Sequence, residues 1–209
     1  MKVLLINGSP NINGVTRLAL NEAIKVFENE GIETVLVNIG TKPISGCIDC
    51  GMCRKNHKCV IENDIVNEVI DLLHESDGIL IGSPVYYASP NGTLISLLDR
   101  VFHGGKDFNF KVGASINVLR RGGATSSMDV INKYFSIYEM PIVSSTYWNM
   151  VYGANKEEAV HDDEGLETVR NLALNMAWLM KCIKAGKDLG INPPKKEKVK
   201  RTNFINNKG

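Results

Sequence analysis

The 209-residue sequence has no apolar run that approaches the roughly 18 residues expected of a membrane-spanning helix. It also has almost no excess of charge: the formal net charge of +1 gives no reason to expect a nucleic acid or an acidic partner. The chain starts directly with a strand pattern and lacks the charged and apolar segments of a signal peptide. We therefore expect a cytoplasmic protein that binds neither membranes nor nucleic acids.

Internal repeats and convincing domain boundaries are also missing from the sequence. One domain over residues 1–190 is the simplest arrangement for a chain of this length, followed by a basic tail over residues 191–209. From Pro193 onwards the tail has six basic residues, one acidic residue and little apolar content. This composition is typical of a solvated or disordered end, and an arm lying on a neighbouring subunit is the alternative.

Strand-like and helix-like apolar patterns alternate along the rest of the chain. Strands are predicted at residues 2–6, 34–39, 78–82, 111–119 and 141–145, and helices at 14–30, 64–73, 94–101, 125–138 and 163–185. Five such alternations predict an α/β protein with a parallel sheet and helices on both faces. Ligands of such sheets bind beyond the carboxyl ends of the strands, so the loops after the first, third and fourth strands are expected to share one site.

The loop after the first strand, residues 9–17, is polar, contains glycine and leads into a helix. It matches neither the GxxxxGK[ST] pattern of nucleotide triphosphate sites nor the GxGxxG pattern of dinucleotide sites. Its hydroxyls, amides and backbone N–H groups suit a single monoester phosphate, and the side-chain candidates are Ser9, Asn11, Asn13 and Thr16. A simple strand-to-helix turn capped by serine and asparagine is the alternative.

The loop after the third strand presents a rigid proline and two aromatic residues, in the order Ser83-Pro84-Val85-Tyr86-Tyr87. A flat heterocycle needs aromatic or apolar walls of this kind. A phosphate at one loop and a ring at the next describe a mononucleotide. The alternative is that both tyrosines are partly buried packing residues.

These two loops resemble the FMN loops of flavodoxin-like NAD(P)H-dependent FMN reductases. The matching motifs are Asn7-Gly8-Ser9-Pro10, Asn13-Gly14-Val15-Thr16, Gly82-Ser83-Pro84-Val85-Tyr86-Tyr87 and Leu97-Leu98-Asp99-Arg100. The resemblance implies a flavodoxin-like, doubly wound sheet of five parallel strands in the order 2-1-3-4-5. It assigns FMN binding to Ser9, Asn11, Asn13, Gly14, Thr16, Arg17, Pro84, Val85, Tyr86, Tyr87, Arg121, Gly122 and Gly123.

Four of the five cysteines, Cys47, Cys50, Cys53 and Cys59, crowd into a loop at residues 46–60. In a reducing cytosol such clustering indicates a metal centre or redox chemistry rather than disulfides. Four thiolates this close can hold a [4Fe–4S] cluster, whereas zinc sites usually come as two separated pairs. The motif is similar to that of iron–sulfur flavoproteins, which implies that the four cysteines ligate a cluster. Free thiols are the alternative, because cluster-free members of the reductase family also keep cysteines in this loop.

These features together predict a flavin oxidoreductase that takes electrons from NAD(P)H or a ferredoxin-like donor and reduces a quinone, a flavin or another small acceptor. No nucleophile–base pair points to hydrolysis, and we assign no catalytic residue because the cofactor would carry the chemistry. An open flavin cleft is often completed by a second subunit, so we expect a homodimer or homotetramer. A non-enzymatic electron carrier and a cysteine-based redox sensor are the alternatives, and the net charge argues against the usually acidic carrier.

Overall fold

The computed structural model describes residues 1–197, so residues 198–209 of the basic tail lie outside the described residues. The strands are β1 (Lys2–Asn7), β2 (Glu33–Asn38), β3 (Gly78–Tyr86), β4 (Ser89–Pro90), β5 (Val112–Leu119) and β6 (Met150–Tyr152). The helices are α1 (Val15–Asn29), α2 (Cys53–Asn56), α3 (Val66–Glu75), α4 (Gly92–Gly104), α5 (Ala124–Ile137), α6 (Lys156–Ala159) and α7 (Asp163–Asp188). No helix in this described part is both long and apolar enough to cross a membrane.

Five strands form one parallel sheet in the order β2-β1-β3-β5-β6. The two-residue β4 pairs with the end of β3 in antiparallel orientation and stands outside this path. With β4 set aside, the order is the predicted 2-1-3-4-5, which confirms the predicted fold class. Alternate residues of β1 enter opposite cores, because Val3 and Leu5 pack with α1 and α7 whereas Leu4 and Ile6 pack with α3 and α4. A fully apolar strand is therefore required at the centre of this sheet.

The prediction of a fifth strand at residues 141–145 is wrong, because the last parallel strand is β6. Only an isolated bridge links Ile142 to Gly113. The following serines bond to α7 instead of the sheet: the Ser145 hydroxyl donates to the Thr168 carbonyl (2.6 Å), and the Ser144 carbonyl accepts from Asn175 (2.9 Å). The chain then rejoins the sheet, where the Asn149 carbonyl accepts from the Asn117 backbone N–H.

Two further boundaries differ from the sequence prediction. Strand β3 continues to Tyr86, so Pro84 and Val85 lie in the strand rather than in the loop after it. The short helix α2 inside the cysteine loop was not predicted. Of the predicted tail, residues 191–197 form neither helix nor strand, and Lys196 lies 2.7 Å from the Glu139 carboxylate.

Candidate functional site

A cavity of about 380 Å³, called here the edge cavity, opens at the carboxyl ends of the parallel strands. The chain leaves β1 in one direction to form β2 and returns on the other side to form β3, so the cavity lies at the switch point of the sheet. Its lining comes from four separate segments: Ser9, Asn11, Gly14, Val15, Thr16, Pro84, Val85, Tyr86, Val118, Leu119, Arg120, Gly153 and Ala154.

The N-terminus of α1 forms one wall of the edge cavity. Within residues 1–197 no side chain caps this helix, and its first turn contains no acidic residue. The Ser9 and Thr16 side chains beside it are buried, at 6% and 2% exposure. By contrast, the Asn91 side chain accepts from two N–H groups at the start of α4. An uncapped helix N-terminus flanked by hydroxyls attracts an anion, so these residues fit a phosphate group.

Buried Asn7 and two close backbone approaches hold this wall in place. The Asn7 side chain accepts from the Ser9 N–H (3.2 Å) and donates to the Asn38 side chain (2.9 Å). The Gly8 N–H donates to the Gly82 carbonyl (2.8 Å), and a Cβ at Gly82 would lie only 2.9 Å from the Thr16 Cγ2. Glycine at this position therefore allows α1 to bring Thr16 against the sheet.

The second predicted loop is a hairpin whose turn is formed by Tyr87 and Ala88. Both residues have left-handed backbones, with φ of 52° and 56°, which a two-residue hairpin of this type requires. Pro84, Val85 and Tyr86 line the edge cavity, whereas the Tyr87 side chain is fully exposed at the tip. Holding two non-glycine residues in this conformation costs free energy, which is common at ligand sites.

The third predicted loop contributes Arg120 to the edge cavity rather than Arg121, Gly122 or Gly123. Gly123, at φ of 95°, packs against Ala88, so this loop supports the hairpin. The edge cavity thus brings together seven of the thirteen predicted flavin residues: Ser9, Asn11, Gly14, Thr16, Pro84, Val85 and Tyr86. Six others, all described, do not line it: Asn13, Arg17, Tyr87, Arg121, Gly122 and Gly123.

Several lining residues were missed by sequence reasoning. Val118 and Leu119 lie in the predicted fourth strand, where their side chains resemble ordinary core residues. Gly153 and Ala154 directly follow β6, and the misplaced fifth strand concealed them. Arg17, a predicted phosphate residue, donates from its Nε to the Asn21 side chain (2.8 Å) along α1, so its assignment stays a prediction.

A second cavity of about 420 Å³, called here the aromatic cavity, lies beside the first and shares Leu119 with it. Its walls include the half-exposed rings of Tyr147 and Trp148, whose centroids are 5.1 Å apart. Tyr152 also lines it, just before the Gly153 of the edge cavity. Asp162 and Glu164 line the aromatic cavity as well, so it can take a flat group with polar edges next to the candidate flavin site.

The four clustered cysteines, Cys47, Cys50, Cys53 and Cys59, line one narrow pocket of about 20 Å³. None of the four is in a disulfide, and burial raises the pKa of Cys53, with the other three cysteines acting in the same direction. Within residues 1–197 no group of three or more His, Cys, Asp or Glu side chains is placed to hold a single metal ion. A [4Fe–4S] cluster bonds each thiolate to a different iron atom, so its ligands need not converge on one point. The all-thiolate donor set around one pocket fits such a cluster.

Arg100 also lines this cysteine pocket and is 2% exposed. Its five N–H groups have five acceptors: Cys59 Sγ (3.3 Å), the Ser45 carbonyl (3.2 Å), the Ile61 carbonyl (2.9 Å) and both Asp64 carboxylate oxygens. Burial by itself lowers the pKa of Arg100, but the hydrogen bonds with Asp64 and Cys59 outweigh it and raise the pKa above its ordinary value. The charge is thus fully paired, as a buried guanidinium requires.

Comparison with known proteins gives consistent matches. The family model described as NADPH-dependent FMN reductase matches residues 1–155. An iron–sulfur flavoprotein of Methanocaldococcus jannaschii is 36% identical over 193 residues, covering 88% of this chain and 100% of the relative. One of Methanosarcina thermophila is 29% identical, covering 90% and 100%. A solved flavodoxin from the domain Archaea has a TM-score of 0.60 at 14% identity, covering 87% of this chain and 99% of its own, which supports the fold alone.

Proposed function

The chain belongs to the NADPH-dependent FMN reductase family, and we propose that it binds FMN in the edge cavity and acts as a flavoprotein oxidoreductase. The observation that carries this proposal is the uncapped N-terminus of α1 facing a cavity at the switch point of the sheet. When bound, FMN would supply the hydride-transfer and electron-transfer chemistry.

The residues of the edge cavity have distinct roles in this proposal. The Ser9 and Thr16 hydroxyls and the first N–H groups of α1 bind the phosphate. Pro84, Val85 and Tyr86 form a wall for the flavin ring. These groups would bind and orient the cofactor.

We further propose that Cys47, Cys50, Cys53 and Cys59 hold a [4Fe–4S] cluster, which would supply one-electron transfer. Two supporting facts are the shared pocket of the four thiols and the names of the archaeal relatives. Cys47 and Cys50 are exposed, and Cys53 and Cys59 are partly buried.

The electron donor in this proposal is NAD(P)H or a ferredoxin-like protein, and the acceptor is a quinone, a flavin or another small molecule. We propose the aromatic cavity as the place where a flat acceptor binds, since it adjoins the edge cavity at Leu119. Trp148→Ala should then raise the KM for a quinone while leaving FMN content unchanged. We also propose that the protein forms a homodimer or homotetramer and is located in the cytoplasm.

The test begins with anaerobic purification, followed by the absorption spectrum and the iron-to-flavin ratio. Flavin without iron would refute the cluster, and a colourless protein that rejects added FMN would refute both cofactors. Cys59→Ser should lose iron, whereas the matched control Cys182→Ser should keep it, because Cys182 lies on α7 and outside the cysteine pocket.

Rapid mixing then separates an enzyme from an electron carrier. Flavin reduction by NADH or NADPH alone indicates the enzyme, and reduction only by a reduced protein donor indicates the carrier. Deleting residues 193–209 tests the sensor alternative, for which assembly and activity should both change.

A further inference from the structure

Cys59 differs from the other three cysteines in being held at both its backbone and its side chain. Its backbone N–H donates to the Asn67 side chain (2.8 Å), and the Asn67 amide donates back to the Cys59 carbonyl (2.9 Å). Its Sγ accepts from Arg100 Nε at 3.3 Å. Among the described hydrogen bonds, none from a side chain reaches the other three thiols, so one cysteine is positioned before any cluster binds.

Arg100 also joins both ends of the cysteine loop to α4. It donates to the Ser45 carbonyl, two residues before Cys47, and to the Ile61 carbonyl, two residues after Cys59. The remaining donors pair with Asp64, whose side chain is 5% exposed. Since all five donors are used and the pair is buried, the guanidinium cannot turn away without leaving polar groups unpaired.

We propose that Arg100 is a positioning residue that holds the cysteine loop closed and raises the reduction potential of the cluster through its hydrogen bond to Cys59. This inference rests on the cluster assignment of the proposed function. Reduction adds one electron from the donor and therefore one negative charge; no bond forms or breaks, and Arg100 keeps its proton throughout. A cation beside a ligand sulfur stabilises the reduced form more than the oxidised form. This electrostatic stabilisation of the reduced cluster is strong because Arg100 is buried, which limits screening of its charge by solvent.

Asp64 has the opposite effect in this arrangement. Its carboxylate lies against the same guanidinium and offsets part of the positive charge that Cys59 experiences. Removing the carboxylate should raise the potential, and removing the guanidinium should lower it. A purely structural pair would instead respond in the same way to either change, through loss of the cluster.

The test is a dithionite titration of the anaerobically purified full chain. The electron paramagnetic resonance signal of the reduced cluster is monitored during the titration and gives the midpoint potential. Arg100→Gln should shift the midpoint potential to more negative values and Asp64→Asn to more positive values. The midpoint potential of the double variant should lie between those of the two single variants. If Arg100→Gln alone does not fold because Asp64 is left buried and unpaired, the double variant can replace it, since it contains neither charge. Equal shifts in one direction, or no shift with iron content retained, would overturn the inference.

Two control variants separate charge from loosening of the loop. Lys58→Gln removes the same formal charge next to Cys59, but Lys58 is exposed and paired with Asp71, so its shift should be much smaller. Asn67→Ala releases the Cys59 backbone without changing any charge, and its potential should stay near that of the unmodified protein. A shift in either control as large as that of Arg100→Gln contradicts the assignment.

Hydrogen exchange on the iron-free protein tests the clamp, by which we mean the closure of the cysteine loop by Arg100, independently of the cluster. Residues 45–61 should exchange faster in Arg100→Gln than in the unmodified chain, and Lys58→Gln should leave them unchanged. Unchanged exchange in Arg100→Gln refutes the clamp. If the unmodified protein assembles no cluster, the cluster assignment and the effect on potential both fail, whereas the exchange result still decides the clamp.

Discussion

Thr16→Val is the sharpest perturbation of the edge cavity. The substitution replaces the hydroxyl with a methyl group of similar size and retains the Cγ2 methyl, which packs closely over Gly82. Thr16 is 2% exposed, and its hydroxyl lies beside the uncapped first turn of α1. The change therefore removes one candidate phosphate donor and leaves the packing of α1 on the sheet intact.

The expected loss follows from the charge of the acceptor. A hydrogen bond to a charged group contributes about 1.5–3 kcal/mol. Since about 1.4 kcal/mol corresponds to a tenfold change in affinity, FMN should bind about 10- to 150-fold more weakly. The free energy of unfolding of the flavin-free protein should hardly change, because the new side chain has the same shape.

The assay is quenching of flavin fluorescence during titration of flavin-free protein, with FMN and with riboflavin. Riboflavin lacks the phosphate, so its affinity should be the same for Thr16→Val and the unmodified protein. Thr34→Val, the same chemical change in β2 and outside the edge cavity, is the matched control and should affect neither ligand. An equal loss for FMN and riboflavin, or no loss for FMN, would refute the assignment of this wall to the phosphate.

Three further predictions concern the supports of the site and the stability of the fold. Gly123→Ala forces a side chain to φ of 95° and places its Cβ 2.7 Å from the Ala88 Cα. It should lower the free energy of unfolding in urea by about 1–3 kcal/mol and weaken FMN binding. Asn91→Ala removes the cap of α4 and should cost about 0.5–2 kcal/mol in the same measurement. The ring centroids of His74 and Phe108 are 4.9 Å apart. Partial burial lowers the pKa of His74 below its ordinary value of 6.5. Just below pH 6.5 the unfolded chain therefore binds more protons than the folded chain. The free energy of unfolding should therefore fall as the pH drops below 6.5, and His74→Phe should remove that part of the decrease.

The resemblance to FMN reductases inferred from two loops is confirmed by the family match over residues 1–155. These loops were recognisable because their chemistry is local: a polar turn after a buried strand, and a proline followed by two tyrosines. The site assignments themselves stay predictions. The edge cavity places seven of the thirteen flavin residues on one surface and leaves six outside it.

The errors also have a local explanation. Residues 141–143 carry the apolar pattern of a strand, but Ser144 and Ser145 bond to α7, which lies far away in sequence. The assignment of Arg17 to the phosphate, which the family resemblance implies, stays a prediction, and its Nε donates to the Asn21 side chain one turn later in α1. Sequence spacing gives the position of a residue along a helix but not the choice between two nearby partners.

The sequence by itself determined the parallel sheet, the expectation of a site at the carboxyl ends of its strands and the crowding of four cysteines, because periodicity and motif chemistry are properties of neighbouring residues. Only the tertiary structure decided that Arg100 meets Cys59, 41 positions away, together with Asp64 and two carbonyls. A buried guanidinium must pair every N–H group, and the folded chain alone determines which acceptors lie within reach.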